Sequence, residues 1–197
     1  MLASITPLGE RGRHNRFWLT ATAFTLAATA AGAATGAVAG ELGRLVLPAG
    51  GERWRVLAVA ATVAVAVAAD LRVGGLRTPT VKRQVNEDWM REYRGWVYGA
   101  GFGAQLGAGV VTIVTTASIY AMLVAATMTR SPAVGAAAVG AFGALRAAPL
   151  AAAARVHTPA QLVELHRWLA AARMRALRAG SALDVALLAG AVAAVAA

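Results

Sequence analysis

The 197-residue sequence contains no cysteine. Thiol, disulfide, iron–sulfur and cysteine-ligated zinc chemistry are therefore excluded on this chain. Acidic residues are scarce, nine Asp and Glu against 19 Lys and Arg, and only 14% of positions are charged. Soluble domains run at about 25% charged. With 58% hydrophobic residues and a mean hydropathy of +0.59, the balance here points to lipid as the solvent.

Charge is missing over long stretches as well. Residues 17–40 and 95–129 carry none, 131–154 carry only Arg146, and 181–197 carry only Asp184. A helix of about 20 mostly apolar residues crosses a hydrocarbon core about 30 Å thick. The pattern predicts an all-α polytopic bundle in one membrane domain, with five spans near 17–40, 56–75, 96–128, 132–154 and 181–197. Arg11, Arg13 and Arg16 before the apolar 17–30 also fit a signal peptide, with A-x-A sites at Ala28/Ala30 and Ala31/Ala33. Twenty-four uncharged residues exceed a usual signal core, so the expectation is an uncleaved first helix.

The net charge of +10 follows topology. With the N-terminus inside, fourteen basic residues fall in inner segments (Arg11, Arg13 and Arg16; six between Arg72 and Arg94; five between Arg155 and Arg178). Four fall outside: Arg44, Arg53, Arg55 and Arg130. This satisfies the positive-inside rule and places the chain in the inner (plasma) membrane, N-terminus cytoplasmic and C-terminus outside. Nucleic acid is then not needed to explain the basic residues.

The stretch GAGFGA at 99–104 matches the loose dinucleotide fingerprint. That loop needs a preceding strand and a later acid. A charged helical pattern precedes it instead, and no acid occurs between Glu92 and Glu164. The glycines have another spacing: Gly99, Gly103 and Gly107, like Gly32, Gly36 and Gly40, recur every fourth residue. Such stripes let helix backbones approach closely in lipid. They are expected to be packing seams.

The third predicted helix raises a question of length, since 33 residues would extend about 50 Å. Glycines crowd its inner half, and Thr112, Thr115, Thr116, Ser118 and Tyr120 bring hydroxyls to its outer half. Ordinary packing of a long tilted helix and a break lining a polar cavity both fit. Gln105 and Arg146 fall at similar depth from the cytoplasmic side, with Asp70 and Asp184 nearer that surface. A buried arginine in lipid needs a partner. Arg146 is expected to pair with Asp70 or Asp184, and these four side chains, with Thr112, Thr115 and Thr116, form the candidate solute site. No catalytic triad or carboxylate pair is present, and no cofactor is indicated. His157, Glu164 and His166 lack a further metal ligand.

Two inner loops resemble each other. Each opens on Thr-Pro, at Thr78 and Thr158, and each ends on glycine, Gly95 and Gly180. Thr can cap and Pro starts the helix. Surface helices are expected near 79–94 and 159–178. The second carries the apolar stripe Leu162, Leu165, Leu169, Ala172 and Ala176 beside Arg167, Arg173, Arg175 and Arg178; the first carries Val81, Val85, Trp89 and Tyr93. This suits anionic lipid of the cytoplasmic leaflet.

The run GFGAQLGAGVVTIVTTASIYAMLVAA resembles the second-half signature helix of the CcdA/DsbD-type cytochrome c biogenesis proteins, grouped with LysE-type transporters. The resemblance spans at most 96–197 and implies a helical scaffold of inverted halves. Gly107 and Gly109 match its G-x-G. Val110 to Thr112 stand where Pro-Cys would follow, so the thiol relay is not carried over. The sequence thus points to a small-solute or ion transporter, as a homo-oligomer or with a partner subunit. The alternative is a non-catalytic subunit of a larger membrane complex, with glycine seams facing neighbours.

Overall fold

The computed structural model describes residues 5–76, 78–80, 88–110, 114 and 116–196; in the last helix the side chains of 173, 181, 183, 187, 188 and 190–196 are not described. The described residues form helices joined by turns and irregular segments, without strands. The helices are α1 (Pro7–Gly12), α2 (Phe17–Val46), α3 (Glu52–Asp70), α4 (Trp89–Glu92), α5 (Gly95–Gly107), α6 (Ser118–Met128), α7 (Pro132–Arg146), α8 (Pro149–Ala153) and α9 (Pro159–Ala196).

α2 is the central helix, with α5 and α7 packed along it. Its buried residues, Phe17, Thr20, Ala21, Phe24, Ala28, Gly32, Gly36, Gly40 and Gly43, recur at intervals of one to four and make one inward face. The bulky end of that face meets Tyr98 and Phe102 of α5 in the main apolar cluster. α3 packs on α6 and α9, with Val63, Ala66 and Ala69 against Ala117 and Ala121. α7 starts at a Ser131 cap, whose hydroxyl accepts the Val134 N–H at 3.3 Å, with Pro132 in the first turn.

Two helices, Phe17–Val46 and the α7–α8 stretch Pro132–Ala153, are long and apolar enough to cross a membrane. The other predicted spans take different forms. α3 carries Glu52, Arg53, Arg55 and Asp70 on 19 residues. The expected helix 96–128 is divided into α5 and α6, of 13 and 11 residues. The expected surface helix 159–178 and last span 181–197 are one continuous 38-residue helix. Gly180 does not end it, because a mid-helix glycine costs only about 1 kcal/mol against strong helix formers on both sides. In the expected surface helix 79–94, only Trp89–Glu92 is helical among the described residues, and Val81 and Val85 lie outside them.

Candidate functional site

α5 stops at Gly107, and Gly109 follows in the left-handed region at φ +83°. Glycine reaches that conformation without the steric cost of a side chain. A Cβ there would come within 2.5 Å of the Ile119 Cδ1, so the end of that side chain would have to shift. Helix resumes at Ser118. Ala117 donates its N–H to the Asp70 carboxylate at 2.7 Å, and Thr78 donates its hydroxyl to the same oxygen at 3.1 Å. Ser118 donates its N–H to the Thr116 hydroxyl at 3.1 Å, a local bond two residues back, just before the Ala117 cap position. Val114 N–H bonds Thr80 Oγ1 at 2.8 Å, and the Tyr120 hydroxyl bonds the Pro79 carbonyl at 2.7 Å. The N–H groups of Val114 and Ala117 are thus taken up by side chains from the preceding segment.

A pocket of about 420 Å³ opens beside this junction. Val114, Ile119, Met122 and Phe142 make its apolar wall, and Thr116, Ser118, Asp184 and Arg146 its polar one. A hydrogen-bond chain crosses the polar wall: Thr116 donates to Ser118 Oγ at 2.9 Å, and Ser118 donates to Asp184 Oδ2 at 2.5 Å. Arg146, the last residue of α7, lies over the Phe142 ring at 5.4 Å from its centroid. Such a cation–π contact is worth about 0.5–2 kcal/mol.

The expected ion pair of Arg146 with Asp70 or Asp184 is not formed; neither pairing occurs among the described residues. Both carboxylates are instead engaged at the start of α6, where exposed N–H groups and the positive end of the helix dipole compete for them. Gln105 is also absent from the pocket wall. Its Nε2 donates to the Gly101 carbonyl at 3.3 Å, one turn back on its own helix. Arg146, Asp184 and Thr116 are brought together, and Asp70 braces the same junction from outside the pocket. Thr112 and Thr115 lie outside the described residues. Ser118 and Phe142 were not among the expected site residues. A Ser/Thr cluster directly before the apolar run 119–126 is a helix-start signal that could have marked Ser118.

The two glycine stripes meet different neighbours. Cβ atoms on Gly32, Gly36 and Gly40 would strike the α7 side, at the carbonyls of Val139, Gly135 and Ser131. Those on Gly99, Gly103 and Gly107 would strike the α2 backbone at Thr20, Phe24 and Ala28. Each seam is filled from within the chain. α7 adds a matching Gly135 and Gly143, eight residues apart, on the reverse side.

A second polar cluster seals the opposite end of α2 and α5. Glu10 is fully buried, and its carboxylate accepts from the Tyr98 hydroxyl, from Thr20 Oγ1 at 2.9 Å and from Arg13 Nη2 at 2.7 Å. Burial works against the Arg13 charge, but the Glu10 hydrogen bond and the neighbouring Tyr98 hold its pKa above the ordinary value. Leu162, Leu165 and Leu169 of α9 pack on Leu8, Ala153 and Val156, so the first part of the expected apolar stripe has a protein partner, while Ala176 is exposed.

Searched against known families, curated proteins and solved structures, the chain matches none.

Proposed function

We propose that this chain is a multi-pass inner-membrane protein that carries a small solute or ion through the site at the α5–α6 break. The observation that carries the reading is the departure from helix at Gly109, Val110, Val114 and Thr116, beside a pocket lined by Arg146, Asp184, Thr116 and Ser118. Irregular backbone at membrane depth is tolerated where it lines a cavity, and transporters place their sites at such breaks. In this reading α2, α3, α5–α6, α7–α8 and the C-terminal half of α9 are the five spans, with the N-terminus cytoplasmic. Arg167, Arg175 and Arg178 on the other half of α9 would meet anionic headgroups. The resemblance to the cytochrome c biogenesis scaffold is retained only for the helical frame, since thiol chemistry is excluded.

The subunit alternative loses its main support, because both glycine seams are occupied by the chain's own helices. A homo-oligomer stays part of the proposal, as so few spans enclose little volume.

The test is flux into phosphatidylcholine proteoliposomes exposed to a cell extract, with captured solutes identified by mass spectrometry. Wild-type vesicles are expected to accumulate at least one solute above empty vesicles, and Arg146→Ala, folded and inserted, is expected to lose it. Identical profiles for wild-type and empty vesicles would overturn transport.

A further inference from the structure

The pocket at the helix break shares one side of α6 with a second pocket. The second, of about 390 Å³, is lined by Ala125, Met128 and Thr129 of α6 and by Glu52, Arg55, Val56 and Val59 of α3. Residues Ser118, Met122, Ala125 and Thr129 follow one another at spacings of four, three and four, which is a single helical stripe. The first two line the inner pocket and the last two the other. Their centres lie about 10 Å apart along the helix.

Each pocket holds one arginine whose charge is poorly matched. Among the described residues Arg146 has the Phe142 ring and no ion pair. Arg55 keeps its side chain 13% exposed, yet the acid facing it, Glu52, is 92% exposed and 4.0 Å away. One Arg55 nitrogen reaches the Met128 carbonyl at 3.2 Å, while its buried Nε has no hydrogen-bond partner among the described residues. The inner pocket lies at the N-terminus of α6, whose dipole favours an anion there; at the second the N-terminus of α3 meets the C-terminus of α6, the two dipoles oppose, and Arg55 is left as the positive group. The Asp184 carboxylate is turned to the Ser118 hydroxyl and Glu52 to solvent. Each cavity thus has one arginine and one carboxylate on its lining, and among the described residues neither arginine has a carboxylate closer than 4.0 Å.

We infer that the α6 stripe is a path for an anionic solute, with Arg146 and Arg55 as successive charge sites at its two ends. The inference rests on the solute-carrying reading above and gives the substrate its charge class. An arginine in each cavity raises the local concentration of anions and disfavours cations, and a phenyl face beside Arg146 suits an anion with a small apolar body.

The absence of cysteine gives a clean test. Met122→Cys and Ala125→Cys are introduced singly into the full chain in phosphatidylcholine nanodiscs and checked for wild-type elution. Each is then reacted with anionic sulfonatoethyl and with cationic trimethylammonioethyl methanethiosulfonate. Relative to the same reagents on a free thiol, the rate ratio is expected to shift about tenfold or more toward the anion at both positions. Arg146→Gln should remove the shift at Met122→Cys, and Arg55→Gln should remove it at Ala125→Cys.

Reaction at both cysteines without an anionic preference, or with one that survives loss of the arginines, overturns the anion path and leaves the hydrated solute site standing. A Met122→Cys thiol inert to both reagents overturns the path and the solute site together. If Arg55 serves a lipid phosphate instead, Ala125→Cys loses its preference in phosphatidylglycerol nanodiscs while Met122→Cys stays inert, and the path is again refuted.

Discussion

Asp70, the last residue of α3, accepts the backbone N–H of Ala117 at 2.7 Å, so the end of one helix caps the start of another. The contact joins residues 47 positions apart and fixes where helix resumes after the break. Asp70→Ala removes a charged cap acceptor and leaves the Thr78 hydroxyl without its partner. The expected loss is about 1–2 kcal/mol. Asp70→Asn, which still accepts the hydrogen bond, should recover part of it. Denaturant unfolding in detergent measures both, and equal loss in the two variants would show that the carboxylate does not cap α6.

The glycine seams give the sharpest contrast in side-chain tolerance. A methyl on Gly36 would fall on the Gly135 backbone, which neither helix can move without losing the rest of the seam. Gly36→Ala should cost about 1–3 kcal/mol, the range of overpacking, or more. At Gly180, with nothing within 4 Å of the added Cβ, the same change should stabilise α9 by about 0.5–1 kcal/mol. Thermal unfolding of the pair decides it: opposite signs are expected, and a neutral Gly36→Ala would mean that α2 and α7 sit farther apart.

These two glycines also show what the sequence could convey. Fourfold spacing marks a face, and the buried stripes Gly32–Gly36–Gly40 and Gly99–Gly103–Gly107 lie where a face predicts contact. Spacing carries no information on which helix fills the seam. The same limit applies to Arg146. Depth along separate helices brought it level with Gln105, with Asp184 nearer the surface, but could not weigh Asp184's alternative partner, because Ser118 becomes a helix start only once α5 has broken. Composition gave the helical class, whereas the buried Glu10 left no periodic signal in a short charged segment.

Glu10 joins α1, α2 and α5 through a single carboxylate. Glu10→Ala would leave the fully buried Tyr98 hydroxyl without its Glu10 acceptor and leave the buried Thr20 hydroxyl with only the longer 3.4 Å bond to the Arg16 carbonyl among the described residues. Truncating one member of a buried charged network costs about 3–5 kcal/mol. Tyr98→Phe, which removes one donor and keeps the ring packed on Phe102, should cost about 1–2 kcal/mol. A double-mutant cycle for Glu10 and Tyr98 should return a coupling of at least about 0.5 kcal/mol. Additive losses would show that the two groups do not act as a unit.

Gly109 is the position where fold and proposed function depend on the same backbone. Its φ of +83° places the chain leaving α5 against Ile119 and Phe142, and Phe142 is the ring that carries Arg146. Gly109→Ala strains the left-handed backbone, at a cost of about 1–2 kcal/mol, and presses a methyl into Ile119. Ile119→Val shortens the side chain that the methyl would meet, so combined with Gly109→Ala it should relieve the packing part of the loss but not the backbone part. The expected readout is therefore graded: Gly109→Ala least stable, the double variant intermediate, wild type highest in unfolding midpoint. If Gly109→Ala alone unfolds like the wild type, the chain does not turn at residue 109, and the pocket beside Arg146 loses the backbone that forms it.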